Sequence, residues 1–479
     1  MRATWDIERL QVRAIPNLGV ALRTTDEGSS RHFMPPPYRA VILLESLKRG
    51  GVQQGVLQLA PRLDKTKYAL QVWALRSSGA NWELAGDFEN AGIPVKSVPV
   101  RHLADRRGVI ALARRLESER VCLLNPRSLF PAIAGGLAAR LARTPVLIAG
   151  YHGTYAHRWT DKTILYQRML AETTDAFVCV SQAVKRHIQP LLALPEEKVR
   201  VLLNGLDIDR FAAMTDRKQL RARLGLPESG AVVASIGRLT KTKDVGAFIE
   251  AIPAIRKVFP NAIGLIVGDG EERAALEKQT ASMGLQEAVR FLGSRSDAPE
   301  ILNAVDCVAL TSRVEGMPRT LLEAFAARTP VVSTPAGGVP EILRDGENGL
   351  LVPFSNPERL AQAVIETLED PDAAGRRAEQ AFRDVQPHGL ETWVRGTEAI
   401  FDEALKERRG TVDAYRDGAE GRSVFSLVVS THLRYWRFRF LFRTLRVRGR
   451  LKQRISRTEA IADGDHSDDE GHPGGGGHL

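Results

Sequence analysis

The feature that most limits what this chain can fold into is an alternation that occurs twice. From Tyr38 onward, short apolar runs at residues 40–44, 69–75, 121–124, 146–149, 176–180 and 199–203 are separated by helix-like stretches. After Pro227 the pattern restarts at 231–236, 263–267, 289–292, 307–310 and 331–333, with helical stretches such as 245–258 behind the runs. Strand followed by helix, repeated, predicts a doubly wound parallel sheet. The fold class expected is therefore α/β, with two Rossmann-like domains in tandem and a cleft between the carboxyl ends of their strands, where ligands bind in open sheets of this kind. A length of 479 residues agrees, because it exceeds what one hydrophobic core accommodates.

The domain boundaries read from this pattern are an N-terminal extension at 1–37, a first domain at 38–205 and a second at 206–385. A closing helix follows at 386–408, with Trp393, Ile400, Phe401 and Leu405 as its expected buried face. Composition then changes. Residues 409–458 form a basic aromatic segment, and 459–479 an acidic, glycine-rich tail expected to be disordered.

Three cysteines, Cys122, Cys179 and Cys307, lie far apart beside apolar residues, so buried free thiols in a reducing cytoplasm are expected rather than disulfides or a zinc site. Residues 1–37 carry charges throughout, without the apolar core of a secretory signal. No apolar run approaches the roughly 18 to 20 residues of a spanning helix. The net charge of +10 suits phosphate-bearing partners, whether nucleotides, nucleic acid or anionic lipid.

The most informative stretch is Glu315-Gly-Met-Pro-Arg-Thr-Leu-Leu-Glu323. Pro318 predicts the start of a helix, where its missing N–H has no intrahelical partner. Glu315, Gly316 and Met317 then fall in the loop before it and Glu323 on the helix. Carboxylates so placed accept hydrogen bonds from sugar or ribose hydroxyls. Gly237, Arg238 and Lys243 follow the first strand of the second domain, putting two cations at a strand's carboxyl end, an arrangement that fits a diphosphate. Gly268 and Gly270 follow another strand, and Gly337 and Gly338 a third. Such glycines serve either a turn or a close backbone approach. No GxGxxG follows the first strand of either domain, so this is not a dinucleotide fingerprint.

In order and spacing these pieces resemble the retaining GT-B glycosyltransferases of glycosyltransferase family 4 (glycosyl transferases group 1). The resemblance covers roughly residues 38–406. It is carried by Gly50-Gly51, Tyr151-His152-Gly153, Val180-Ser181, Leu203-Asn204-Gly205, Gly237-Arg238 with Lys243, Gly268-Asp-Gly270, the Glu315/Glu323 pair, and Gly337-Gly338-Val-Pro-Glu341. It implies that Arg238 and Lys243 hold a donor diphosphate, that Glu323 binds the ribose, and that Glu315 meets hydroxyls of the transferred sugar near the N–H groups of Gly316 and Met317. His152 is then placed beside the sugar ring from the first domain. Gly50, Gly51, Gly237, Gly268 and Gly270 are implied to line the donor site. Two positions depart from the family pattern: Asp244 and Arg328 stand where glycine is usual.

The function expected is transfer of a sugar, with retention, from a nucleotide-diphosphate sugar to a saccharide or lipid-linked acceptor in cell-surface polysaccharide or glycolipid synthesis. The resemblance implies that no metal or other cofactor is used, with the two cations stabilising the leaving diphosphate in a metal ion's place. A catalytically silent nucleotide-sugar-binding scaffold and a nucleotide-sugar epimerase or hydrolase are the alternatives. Arginines interleaved with aromatics, Tyr435-Trp-Arg-Phe-Arg-Phe-Leu-Phe-Arg, point to an anionic membrane surface as a partner rather than to nucleic acid. A cytoplasmic protein, peripheral on the membrane's inner face, is expected.

Overall fold

In the first domain, strands β1 (Tyr38–Ser46), β2 (Tyr68–Arg76), β3 (Val95–Ser97), β4 (Leu123–Pro126), β5 (Val146–Tyr151), β6 (Ala176–Cys179) and β7 (Val199–Val201) form one sheet. Its order is β3-β2-β1-β4-β5-β6-β7, and every pairing is parallel. The second sheet uses β8 (Val232–Ile236), β9 (Ile263–Val267), β10 (Val289–Gly293), β11 (Cys307–Leu310), β12 (Val331–Ser333) and β13 (Leu350–Leu351). Its order is β10-β9-β8-β11-β12-β13, again wholly parallel. This computed structural model describes residues 37–154, 159–211 and 216–417.

Parallel sheets are covered on both faces, which is why their central strands read as unbroken apolar runs. In β1, residues Ala40 to Leu44 are at most 1% exposed, and all six residues of β5 are buried. Edge strands need no such run, and both strands unseen in the sequence lie at edges: β3 is Val95-Lys-Ser and β13 is two leucines. β4 sits two residues later than its apolar run suggests. Val121 and Cys122 are buried leading into it, and Asn125 and Pro126 complete it.

The order reverses between β1 and β4 in the first sheet and between β8 and β11 in the second. At such a reversal the flanking crossovers go to opposite faces and leave a crevice at the strands' carboxyl ends.

The helix Leu390–Glu407 does not stay with the second domain. It crosses back and buries Trp393, Phe401 and Leu405 in the same cluster as Ala40, Ile42 and Leu44 of β1, with Ile400 partly buried against it. Two segments therefore connect the domains, and they are bonded to each other: Leu206 N donates to His388 O (3.0 Å), and Leu206 bridges Gly389. The ordered chain also runs past the expected boundary at 408. Residues Arg409–Arg416 are helical, with Val412 only 1% exposed and the Arg416 carbonyl accepting from Arg120, because that turn presents an apolar face to the first domain. The rest of the basic aromatic segment, the acidic tail and residues 1–36 lie outside the described residues. Among the described residues no helix is long and apolar enough to cross a membrane. All three cysteines are buried and free.

Candidate active site

At the β8/β11 reversal the structure brings three of the expected side chains into one pocket. Gly237 and Arg238 leave the end of β8, Lys243 ends the short 3-10 turn Lys241–Lys243, and Ser312 and Glu315 follow β11; all five line the same cavity with Thr320. Lys243 Nζ donates to Glu315 Oε1, which also accepts from Ser312 Oγ at 2.7 Å. The Glu315 side chain is 10% exposed, so its charge is balanced by contact rather than by water. Arg238 is exposed at the mouth. Thr311 Oγ1 donates to the Lys243 carbonyl (2.9 Å) and Arg313 N to the Thr242 carbonyl (2.9 Å), locking the loop that carries the acid to the loop that carries the base.

Glu323 lies on the helix Arg319–Ala326, for which Pro318 is the N-cap. It does not line that cavity. Its carboxylate faces Arg319 Nε at 3.7 Å, and burial pushes its pKa up from the ordinary glutamate value. Met317, whose N–H is the group expected near the sugar, has its side chain in the core at 5% exposure; its carbonyl accepts from Asn204 Nδ2 (3.4 Å) across the domain boundary.

The glycines mostly bring backbones together. β-Carbons on Gly268 and Gly270 would overlap the carbonyls of Gly237 and Leu239, so these two support the Arg238 loop from behind. Gly337, in the left-handed region at φ 55°, would overlap the Glu315 carbonyl, and Gly338 that of Gly316. Gly316 in turn would overlap the carbonyl of His152. The Glu315-Gly316 turn is thus clamped between a second-domain loop and a first-domain loop.

More bonds hold the two sides together. Ser181 caps the helix Gln182–Leu192 by accepting from Val184 N (3.2 Å), and its Oγ donates to the Gly316 carbonyl at 2.9 Å. Glu341 accepts from Gln182 N (2.9 Å) and Ala183 N (2.7 Å) at that helix's positive end. Arg319 reaches across to the Gly205 carbonyl (3.0 Å) and to Gln58 Oε1 (2.9 Å) on the helix Gly51–Leu59. Gly50 caps that helix with extended backbone, and a β-carbon on Gly51 would lie 3.5 Å from the Arg319 side chain.

His152, just past the end of β5, faces inward. Its Nε2 is shut off from solvent, and burial together with the guanidiniums of Arg127 and Arg319 lowers its pKa to about 3. The imidazole is therefore neutral at any physiological pH. It lines a second cavity, in the first domain, with Asn125, Arg127, Asn204 and Trp393. Arg127 and Arg319 were not legible as site residues. Each is a single cation among uncharged neighbours, and only the strand order shows that Arg127 directly follows the strand next to β1.

Both departures from the family's glycines occupy left-handed backbone: Asp244 at φ 47° and Arg328 at φ 54°. The side chains offset the strain. Asp244 accepts from Ser355 Oγ (2.9 Å), while Arg328 pairs with Glu379 (2.7 Å) and stacks 3.4 Å from the centre of the Phe382 ring.

Two family descriptions match the two halves: Glycosyltransferase Family 4 over residues 49–210 and Glycosyl transferases group 1 over 216–384. A UDP-Gal:alpha-D-GlcNAc-diphosphoundecaprenol alpha-1,3-galactosyltransferase of Escherichia coli is 26% identical over 67% of this chain and 85% of its own length. The lipopolysaccharide core biosynthesis glycosyltransferase LpsE of Rhizobium meliloti is 33% identical over 43% of this chain and 58% of its length. Among solved structures, Anabaena HepE in complex with UDP-glucose superposes with a TM-score of 0.68 at 25% identity, covering 76% of this chain and 99% of that one. The chain belongs to glycosyltransferase family 4 and is a glycosyltransferase of the GT-B fold.

Proposed function

We propose that this enzyme transfers a sugar, with retention of anomeric configuration, from a nucleotide-diphosphate sugar to a saccharide or lipid-linked acceptor in the assembly of cell-surface polysaccharide or glycolipid. The convergence of Arg238, Lys243 and Glu315 on one cavity at the strand-order reversal of the second domain carries the reading. Two relatives support the substrate class by their names: one acts from UDP-Gal on a lipid-linked diphosphate sugar, and the other builds a lipopolysaccharide core. HepE binds UDP-glucose on the same fold.

Lys243 is held by Glu315 in the second-domain pocket. An incoming diphosphate offers the ammonium a second anionic partner and leaves Glu315 able to accept from a sugar hydroxyl, with Ser312 still fixing its other contact. Arg238, exposed at the mouth, supplies a planar fork for phosphate oxygens. As the glycosidic bond breaks, charge grows on the leaving phosphate, and these two cations stabilise it without a metal ion. A neutral His152 is not a general acid at neutral pH; its ring offers one N–H donor and one acceptor nitrogen from the first-domain side. Retention follows if the acceptor attacks the face the diphosphate leaves, passing its proton to the phosphate.

Turnover of a nucleotide sugar by Arg238→Ala and Lys243→Ala variants tests the reading, with loss of about 100-fold or more expected. Activity within about twofold of the parent enzyme would rule it out. Nucleotide diphosphate released only when acceptor is present separates transfer from hydrolysis, epimerisation and a silent scaffold, and the product's anomeric configuration decides retention. We further propose a cytoplasmic enzyme bound peripherally to anionic membrane through the basic segment. Liposome flotation of the protein truncated before Arg422 tests that, with binding lost if the segment is responsible.

A further inference from the structure

We propose that Arg319 is a positioning residue of the donor side: its buried guanidinium is seated in a groove of the first-domain helix Gly51–Leu59, and that seat keeps the Glu323 carboxylate free for the donor. That Glu323 meets the donor's nucleoside rests on the transferase reading. The seat of the guanidinium rests on geometry alone.

Arg319 opens the helix Arg319–Ala326, and its side chain is only 8% exposed. Its three nitrogens face two ways. Nη1 donates to the Gly205 carbonyl and Nη2 to Gln58 Oε1. Nε is shut off from solvent, has no hydrogen-bond partner, and lies 3.7 Å from Glu323 Oε1 one turn along the same helix. Thr320, on that helix between the two, lines the cavity of Arg238, Lys243 and Glu315. The Glu323 side chain is 18% exposed and accepts no hydrogen bond among the described residues; the cations that act on it are Arg319 and Arg210. A largely buried carboxylate with counter-charges but no donors leaves its lone pairs unspent, and hydroxyl groups are donors that fit it.

The first domain is shaped to receive the guanidinium. Gly51, Gly55 and Gln58 fall at i, i+4 and i+7, which is one face of a helix. A β-carbon at Gly51 would lie 3.5 Å from Arg319 Cδ, and one at Gly55 would lie 3.2 Å from Nη1 and 3.1 Å from the Trp393 ring. Glycine within a helix lowers its stability, so Gly55 gives up propensity for room. Two positions without side chains admit the arginine and the third accepts from it.

A guanidinium is rigid and planar, so the partners of its terminal nitrogens set the direction of Nε. Gln58 and Gly205 hold the fork toward the first domain and leave Nε near Glu323 without bonding to it. Freed from Gln58, the fork can turn onto Glu323 and make the bidentate pair that arginine and carboxylate favour. That pair occupies the oxygens a nucleoside hydroxyl needs. Gln58, in the first domain, therefore governs nucleotide affinity in the second, and does so through Arg319.

The full chain carries the test. UDP and GDP are titrated by calorimetry, and the tighter binder serves as the probe. Gln58→Leu is expected to weaken it about fivefold, the worth of one hydrogen bond, and Arg319→Met at least as much. The combined variant is expected to bind no more weakly than Arg319→Met alone, because coupled residues do not add. Additive losses, or an unchanged affinity in Gln58→Leu, overturn the proposal even where melting temperature falls. If Arg319→Met does not fold, Arg319→Lys carries the cycle: the charge stays and the fork is lost, so Gln58→Leu should add nothing, and an added loss is fatal. A parent enzyme that binds neither nucleotide overturns the role of Arg319 and the transferase reading together. The coupled pattern without any sugar transfer keeps Arg319 and sinks the transferase reading.

Discussion

Gly316 and the His152 carbonyl touch so closely that a β-carbon on the glycine would lie 2.3 Å from the oxygen, well inside contact distance. One residue belongs to the loop that presents Glu315 to the cavity shared with Arg238 and Lys243, the other to the first-domain strand end. Any side chain at 316 must separate those loops, and with them the two halves of the reaction site.

Gly316→Ala therefore leaves each sheet intact while holding the domains apart. Misplacement of about 1 Å costs on the order of 100-fold in rate, and overpacking of this kind costs about 1–3 kcal/mol. Activity assays should show the larger effect, with a modest drop in melting temperature, and small-angle scattering should show a more open particle.

Glu341 gives a second handle on the same contact. Removing a side chain that accepts from free N–H groups at a helix start costs about 1 kcal/mol. Glu341→Ala should reduce stability by that amount in urea denaturation and raise KM for donor without altering the pocket's own residues. An unchanged KM would show that the Glu341 contact to Gln182 and Ala183 plays no part in closure.

Arg328 separates backbone strain from side-chain contact. A left-handed L residue costs roughly 1–2 kcal/mol, while an exposed ion pair gives about 0.2–1 kcal/mol and an exposed cation–π contact about 0.5–1 kcal/mol. Arg328→Gly removes both sides of that balance and should be near neutral. Arg328→Ala keeps the strain and loses the contacts, so it should be less stable than the glycine variant by about 1 kcal/mol.

His152 makes stability depend on pH. The unfolded chain protonates this imidazole near pH 6.5, whereas the native one stays neutral down to about 3. Between those values the unfolded state binds more protons, so stability is lost as pH falls from about 6.5 toward 3, by at most about 1.4 kcal/mol per pH unit. Urea denaturation at pH 7 and pH 5 should show the loss, and His152→Asn should flatten it. His152 itself should contribute no acid limb near pH 6 to the rate profile.

What the sequence disclosed and what it hid follow from range. The helix Val245–Val258 and strands Ile263–Val267, Cys307–Leu310 and Val331–Ser333 coincide with their apolar patterns, because burial on both faces leaves a local signature. That Arg238, Lys243 and Glu315 share one cavity was foreseeable because family spacing records their loops. β3 and β13 hid at sheet edges, and Arg127 and Arg319 gain meaning only through neighbours far along the chain: Leu43 and Trp393 for one, Gln58 and Gly205 for the other. The same holds for Gly268 and Gly270, where a glycine that touches ligand and one that supports a loop from behind are spelled alike.

Because Leu206 is hydrogen-bonded to the His388–Gly389 turn, the two connections between the domains form a single double-threaded hinge. A door hung on two adjacent pins swings but does not swivel. The halves of this enzyme should accordingly rock about that line, so that an acceptor leaving and a donor entering use one and the same mouth.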